Sequence, residues 1–135
     1  MKKTILIIII LHISIQDIQN KGYEFKESQK PETMLLSKLI QSECGICPPK
    51  DKELVGASVL NRITHPSYPN TMKEVIFQKN QYYFNKNIRV DSSTIEISKK
   101  LLEGGHNKKV RYFWNHNSKG FGKKPLIITK HHNYA

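Results

Sequence analysis

Between Thr33 and Cys44 the apolar residues Leu36, Leu39 and Ile40 fall three and four positions apart, which predicts an amphipathic helix. Thr33 is its expected N-cap, just after Pro31, and Gly45 the expected stop. The pair Pro48-Pro49 then keeps the chain extended. Asp51 can cap a second helix carrying Leu54, Val55, Val59, Leu60 and Ile63, in which Gly56, Ala57 and Ser58 leave room for a close neighbour. That helix ends at His65-Pro66, because the residue before a proline leaves the helical region. Thr71 and Glu74 fit a capping box opening a short third helix through Phe77, and Ser93 and Glu96 fit another opening a fourth that stops at Gly104-Gly105. Farther on, Val110 to Asn115 and Leu126 to Thr129 are β-prone runs separated by Ser118, Gly120 and Gly122, which predicts a short C-terminal β-hairpin or a pair of short strands.

Before these elements the pattern is different. Met1-Lys2-Lys3 and the apolar run from Thr4 to Ile15 have the charged start and short apolar centre of an export signal, and the run is too short for a spanning helix. The expected organisation is a signal peptide at 1–20, a polar tether at 21–30 and one folded domain at 31–135. An exported location follows, in periplasm, cell wall or medium, or a membrane-anchored form if the leader is kept. The 135 residues carry a formal charge of +11, so anionic partners are expected. For an exported chain these are cell-wall peptide carboxylates, anionic wall polymers or a membrane surface. The lysines and arginines are scattered and accompany no nucleic-acid-binding motif, so nucleic acid is not an expected partner.

The chemistry centres on Glu43, which the i+3 and i+4 steps from Ile40 and Leu39 place on the apolar side of the first helix, at its end. A carboxyl held there resists ionisation, both through desolvation and through the negative end of the helix dipole, and its pKa rises toward the range of a general acid. Periodicity alone also accommodates an ordinary half-exposed helix-end glutamate. The loop from Gln78 to Asn85 mixes amides with Tyr82, Tyr83 and Phe84; such a surface suits a sugar, and equally describes buried rings with polar neighbours. Cys44 and Cys47 lie at a helix C-terminus rather than the N-terminus that activates redox thiols. A zinc site with His131 or His132 lacks the usual partner spacing, so no metal or other cofactor is expected; a local disulfide is the simplest reading in an exported chain.

From Leu36 to Asn80 the ordered stretches Glu43 to Pro48, Gly56-Ala57-Ser58-Val59-Leu60-Asn61-Arg62 and Tyr68-Pro69-Asn70-Thr71 resemble the SleB/CwlJ family of cell wall hydrolases. The family's Glu-Ala-Arg-Gly-Glu-Pro-like helix end is similar to Glu43-Cys44-Gly45-Ile46-Cys47-Pro48, and its Gly-Ala-Val-Val-Leu-Asn-Arg-like run to Gly56-Ala57-Ser58-Val59-Leu60-Asn61-Arg62. Its Phe-Pro-Asn-Thr signature resembles the stretch from Tyr68 to Gln78, and its Gln-Phe resembles Gln81-Tyr82. Tyr112-Phe113-Trp114-Asn115 and His132-Asn133-Tyr134 resemble the family's later motifs. The family's arginine and second glutamate fall on Gly45 and Cys47, which removes charge support from the cleft.

The resemblance implies an α+β, mostly α fold: a small lysozyme-like helical domain with the cleft beside the end of the first helix. It implies that Glu43 is the catalytic glutamate and that peptidoglycan is cut between N-acetylmuramic acid and N-acetylglucosamine. Two-carboxylate hydrolysis needs a partner for Glu43. Asp51, Glu53 and Glu74 have helix-start roles, and Asp91, Glu96 and Glu103 lie in or near the fourth helix, so lytic transglycosylation by one glutamate is the expectation. Gln81, Tyr83, Tyr112, Asn115 and His132 are the candidate substrate-binding residues, whereas Asn61 and Arg62 are expected to be buried packing and salt-bridge residues. The expected form is a monomer. The alternative is a non-catalytic peptidoglycan-binding module that keeps the cleft.

Overall fold

A computed structural model describes residues 30–118 and 122–135. The expected signal peptide, and the tether apart from Lys30, lie outside the described residues. The elements are α1 (Pro31–Cys44), α2 (Pro49–Ile63), α3 (Met72–Ile76), α4 (Ser92–Leu102), β1 (Phe113–Asn115), β2 (Ile127–Ile128) and β3 (His132–Tyr134). The fold is therefore mostly α with a small sheet.

The apolar stripe of α1 buries Leu36, Leu39 and Ile40 against Leu54, Val55 and Val59 of α2, with Leu101 of α4 closing the third side. Gly56 makes this three-helix contact possible. A Cβ there would stand 2.4 Å from Leu101 Cδ1 and 2.9 Å from Ile40 Cδ1. Gly56→Ala is accordingly expected to lower stability by about 1–3 kcal/mol through overpacking, measured as a lower midpoint in thermal or denaturant unfolding.

Three helix starts differ from expectation. Pro31 occupies the first turn of α1, with Lys30 in the cap position and no side-chain cap, and Thr33 is buried within the helix. A proline preorganised for the first turn begins the helix three residues before a Thr33 cap would. In α2 the start is Pro49 after Pro48, so Asp51 does not cap; it lies inside the first turn at 2 % exposure. In α4 the cap is Asp91, which accepts from Thr94 N at 2.7 Å, while Glu96 pairs with Lys99 instead of closing a box on Ser93. The Thr71 cap of α3 forms as expected, accepting from Glu74 N.

Asp91 also faces a buried lysine. Lys52 donates to Asp91 Oδ2 at 3.2 Å and to Thr94 Oγ1 at 2.8 Å. Hydrogen bonds from Ser93 above all, then from Thr94 and Lys52, hold the Asp91 carboxyl well below the usual carboxylate range. Asp91→Ala should cost about 0.5–2 kcal/mol through the lost cap. A depressed folded pKa contributes stability above the unfolded value and loses it as pH falls through the folded one. The gap in melting temperature between wild type and variant should therefore narrow below about pH 4.

Both predicted runs form short strands, within a three-stranded sheet of order β1-β3-β2 in which β3, not the other run, is the partner of each. Both runs pair antiparallel with β3: Phe113 and Ile127 each stand opposite Tyr134, and Asn115 stands opposite His132. Burial of Tyr134 supplies the reason. Its hydroxyl donates to Asp51 Oδ1 at 2.8 Å, pinning the last strand onto the start of α2.

Candidate functional site

Glu43 lies half-buried on the last turn of α1, and the polar-aromatic loop passes across it. Asn80 turns that loop with a left-handed backbone (φ 62°), a conformation asparagine tolerates. Three residues later the Tyr83 N–H donates to Glu43 Oε1 at 2.5 Å. Burial raises the Glu43 pKa above the ordinary carboxylate value, and the Tyr83 hydrogen bond offsets only part of that rise. Helix α1 ends next to it at Gly45, whose backbone is right-handed rather than the left-handed stop a glycine permits. What Gly45 supplies is space, because a Cβ would stand 2.8 Å from Gln41 O.

Arg62 organises the other side of the loop. It is 4 % exposed, and no carboxylate among the described residues pairs with it. Its Nε donates to Arg111 O at 2.8 Å and its Nη1 to Gln81 Oε1 at 3.1 Å. The guanidinium carbon stands 5.1, 4.8 and 5.3 Å from the ring centres of Tyr68, Tyr82 and Tyr112. Burial was expected of Arg62, but the expected salt bridge is replaced by carbonyls and aromatic faces. Asn61 is buried as expected and donates to Asn107 O and Val110 O.

The rings form a continuous wall. Tyr68 and Tyr112 share a hydroxyl hydrogen bond at 2.5 Å, and burial with that bond pushes the Tyr68 phenol up to about 12. Tyr82 bonds Ser58 through its hydroxyl; burial raises its pKa, and the charge of Glu43 adds to the rise. Phe113 connects Tyr82 to His132, with ring centres 6.1 and 5.7 Å away.

The predicted site residues are thus brought together unevenly. Tyr83 holds Glu43 through its backbone while the residue stays 63 % exposed. Gln81 and Tyr112 meet at Arg62. Asn115 is exposed on β1 and joins the group only through its register with His132. His132 lies beside the turn after Glu43, where Cys44 and Cys47 are joined as a disulfide. A cleft of about 600 Å³ is lined by residues including His65, Tyr68, Asn70 and Glu74. It adjoins the aromatic wall through Tyr68 but does not reach Glu43. Being shallow and open, it is a weaker guide to the chemistry than the held carboxyl beside exposed rings.

Two groups were missed from sequence. The role of Arg62 depends on tyrosines distant in the chain, and Asp51 is a buried hub accepting from Thr129 Oγ1 and from Tyr134. The signal in the sequence was a charged residue on an apolar helix face at both positions, joined for Arg62 by its place at the end of the family-like run from Gly56.

These features define a mostly helical enzyme-like domain with one held acid beside an aromatic wall. The family model described as Cell Wall Hydrolase matches residues 48–134, and the chain belongs to that family. The matched span starts after Glu43. The fold is similar to the crystal structure of the catalytic domain of the Bacillus cereus SleB protein, at 19 % identity and a TM-score of 0.67, over 76 % of this chain and 88 % of that one. A comparison with curated proteins finds no match.

Proposed function

We propose that this cell wall hydrolase cuts the glycan strand of peptidoglycan between N-acetylmuramic acid and N-acetylglucosamine as a lytic transglycosylase, with Glu43 as its single acid and base. The observation that carries the reading is the Glu43 carboxyl itself: half-buried at a helix end, held by the Tyr83 N–H and favoured in its protonated form. Protonated Glu43 gives its proton to the bridging oxygen as the bond from the muramic C1 breaks. The carboxylate then takes the proton of the muramic C6 hydroxyl, whose oxygen closes on C1. The product is an anhydro-muramic end, and the net proton movement runs from one substrate oxygen to the other.

The occupation of the other carboxylates among the described residues supports a single-acid scheme. Asp51 accepts from Thr129 and Tyr134, Glu53 pairs with Lys100, Glu74 with Thr71, Asp91 with Lys52 and Glu96 with Lys99. Glu32 lies in the first turn of α1, at the opposite end from Glu43, and Glu103 follows α4. For substrate, the Tyr83 ring can cover the apolar face of a pyranose. Gln81 keeps its amide N–H groups while its oxygen serves Arg62, and Tyr112, Asn115 and His132 extend the polar surface. Export through the N-terminal segment agrees with the Cys44–Cys47 disulfide, a bond that persists in oxidising compartments.

Purified peptidoglycan incubated with the mature protein should release soluble muropeptides with anhydro ends, read by mass spectrometry. Reducing muramic ends would show hydrolysis instead. A folded protein that sediments with peptidoglycan and releases nothing would be a binding module, the reading that Gly45 and Cys47 favour by replacing the charged residues of the related motif.

A further inference from the structure

The turn after Glu43 carries a second constellation, of which the proposed chemistry uses only His132, at the edge of the substrate surface. Cys44 Sγ, Cys47 Sγ and a ring nitrogen of His132 lie within 4.8 Å of one another. Cys44 is 2 % exposed, and the His132 side chain is 16 % exposed. His132 Nδ1 is buried without a hydrogen bond, 3.5 Å from Oδ1 of the buried Asp51. We propose that the reduced form of this chain is a binding site for a borderline-soft cation of the Zn²⁺ class, ligated by Cys44, Cys47 and His132, with Asp51 orienting the histidine.

Each part of the cluster has a role in that site. The disulfide consumes the donor capacity of both sulfurs, so the site exists only after reduction. Tetrahedral coordination at Zn–S distances of about 2.3 Å places two thiolates roughly 3.8 Å apart. The Cα atoms of Cys44 and Cys47, 5.1 Å apart across a two-residue spacer, allow that separation through side-chain rotation. Thiolates and an imidazole are the donor set that zinc prefers, and three protein ligands leave a fourth position for water. A carboxylate beside a ligating histidine fixes the ring and strengthens its basicity, as Asp51 is placed to do. Asp51 is itself held by Thr129 and Tyr134, so the ring would be oriented by a rigid group. The cation would tie β3 to the turn that follows Glu43, replacing one cross-link with another.

The balance is simple. A water-soluble phosphine reduces the disulfide to two thiols while a water oxygen passes to phosphorus, and the cation then displaces two thiol protons to solvent. The test uses the mature chain, reduced with such a phosphine and titrated anaerobically with Co²⁺ as the optical probe, then with Zn²⁺. One equivalent of Co²⁺ should produce sulfur-to-cobalt charge-transfer absorption and tetrahedral visible bands, and Zn²⁺ should abolish both. The unreduced protein should give neither. His132→Gln should weaken binding by at least about 10-fold, with Cys47→Ser as a second variant and circular dichroism verifying that each is folded. Absence of the charge-transfer band in the reduced wild type would overturn the proposal, as would equal affinity in folded His132→Gln.

Discussion

Glu43→Gln is expected to abolish muropeptide release, lowering the rate by at least about 10²–10⁴-fold, the contribution of a positioned acid or base, while binding to peptidoglycan persists. The amide keeps an oxygen for the Tyr83 N–H and nearly the same volume, so the fold should survive. Stability should rise at neutral pH. A carboxyl whose folded pKa exceeds its unfolded value binds more protons when folded, so stability falls as pH rises from the unfolded value through the folded one. Glutamine has no such dependence. The variant should therefore melt at a higher temperature than wild type near pH 7, by up to a few degrees, with the difference vanishing below about pH 4. Wild-type activity should likewise decline as pH rises through the folded pKa, because the first proton transfer needs the acid form. Melting curves at the two pH values and a pH–rate profile check both statements; an unchanged or lower melting temperature at pH 7 would mean that Glu43 ionises without penalty.

Arg62→Met is the second large expected effect. It leaves Arg111 O and Gln81 Oε1 without their donor and removes the cation from between the rings of Tyr68, Tyr82 and Tyr112. Together these losses should cost roughly 2–4 kcal/mol of unfolding free energy, read from denaturant titration. Activity should fall further than stability explains. Gln81 is anchored by Arg62, and two residues later Tyr83 holds Glu43, so loosening the loop displaces the acid. A displacement of about 1 Å is enough for a loss near 10²-fold. Arg62→Lys keeps the charge but not the flat, forked donor set, and should recover little of either quantity. An Arg62→Met protein that is folded and fully active would show that the loop holds Glu43 without the guanidinium.

What was legible in the sequence follows from the range of the interactions involved. The stripe of Leu36, Leu39 and Ile40, the small residues at Gly56 to Ser58 and the Thr71 cap are read from neighbours a few positions apart, and all three appear in the structure. The cap of α4 was misread: the capping-box spacing pointed to Ser93, whereas Asp91 caps the helix and also meets buried Lys52. The central strand β3 was missed because three residues carry too little alternation, and its position depends on Tyr134 reaching Asp51. Glu43 could be placed on the right helix face, yet its held geometry depends on a loop forty residues onward. The Arg62 cage was illegible for the same reason: its arginine and three tyrosines lie in four separate stretches, and nothing local shows that they converge.

The central claim is that one carboxyl performs both proton transfers. Its most direct test is digestion of purified peptidoglycan by the wild type and by Glu43→Gln in water enriched in heavy oxygen, with the saccharide ends read by mass spectrometry. Unlabelled anhydro-muramic ends from the wild type and no fragments from the variant are predicted. Reducing muramic ends carrying the label, or fragments released by Glu43→Gln, would contradict it.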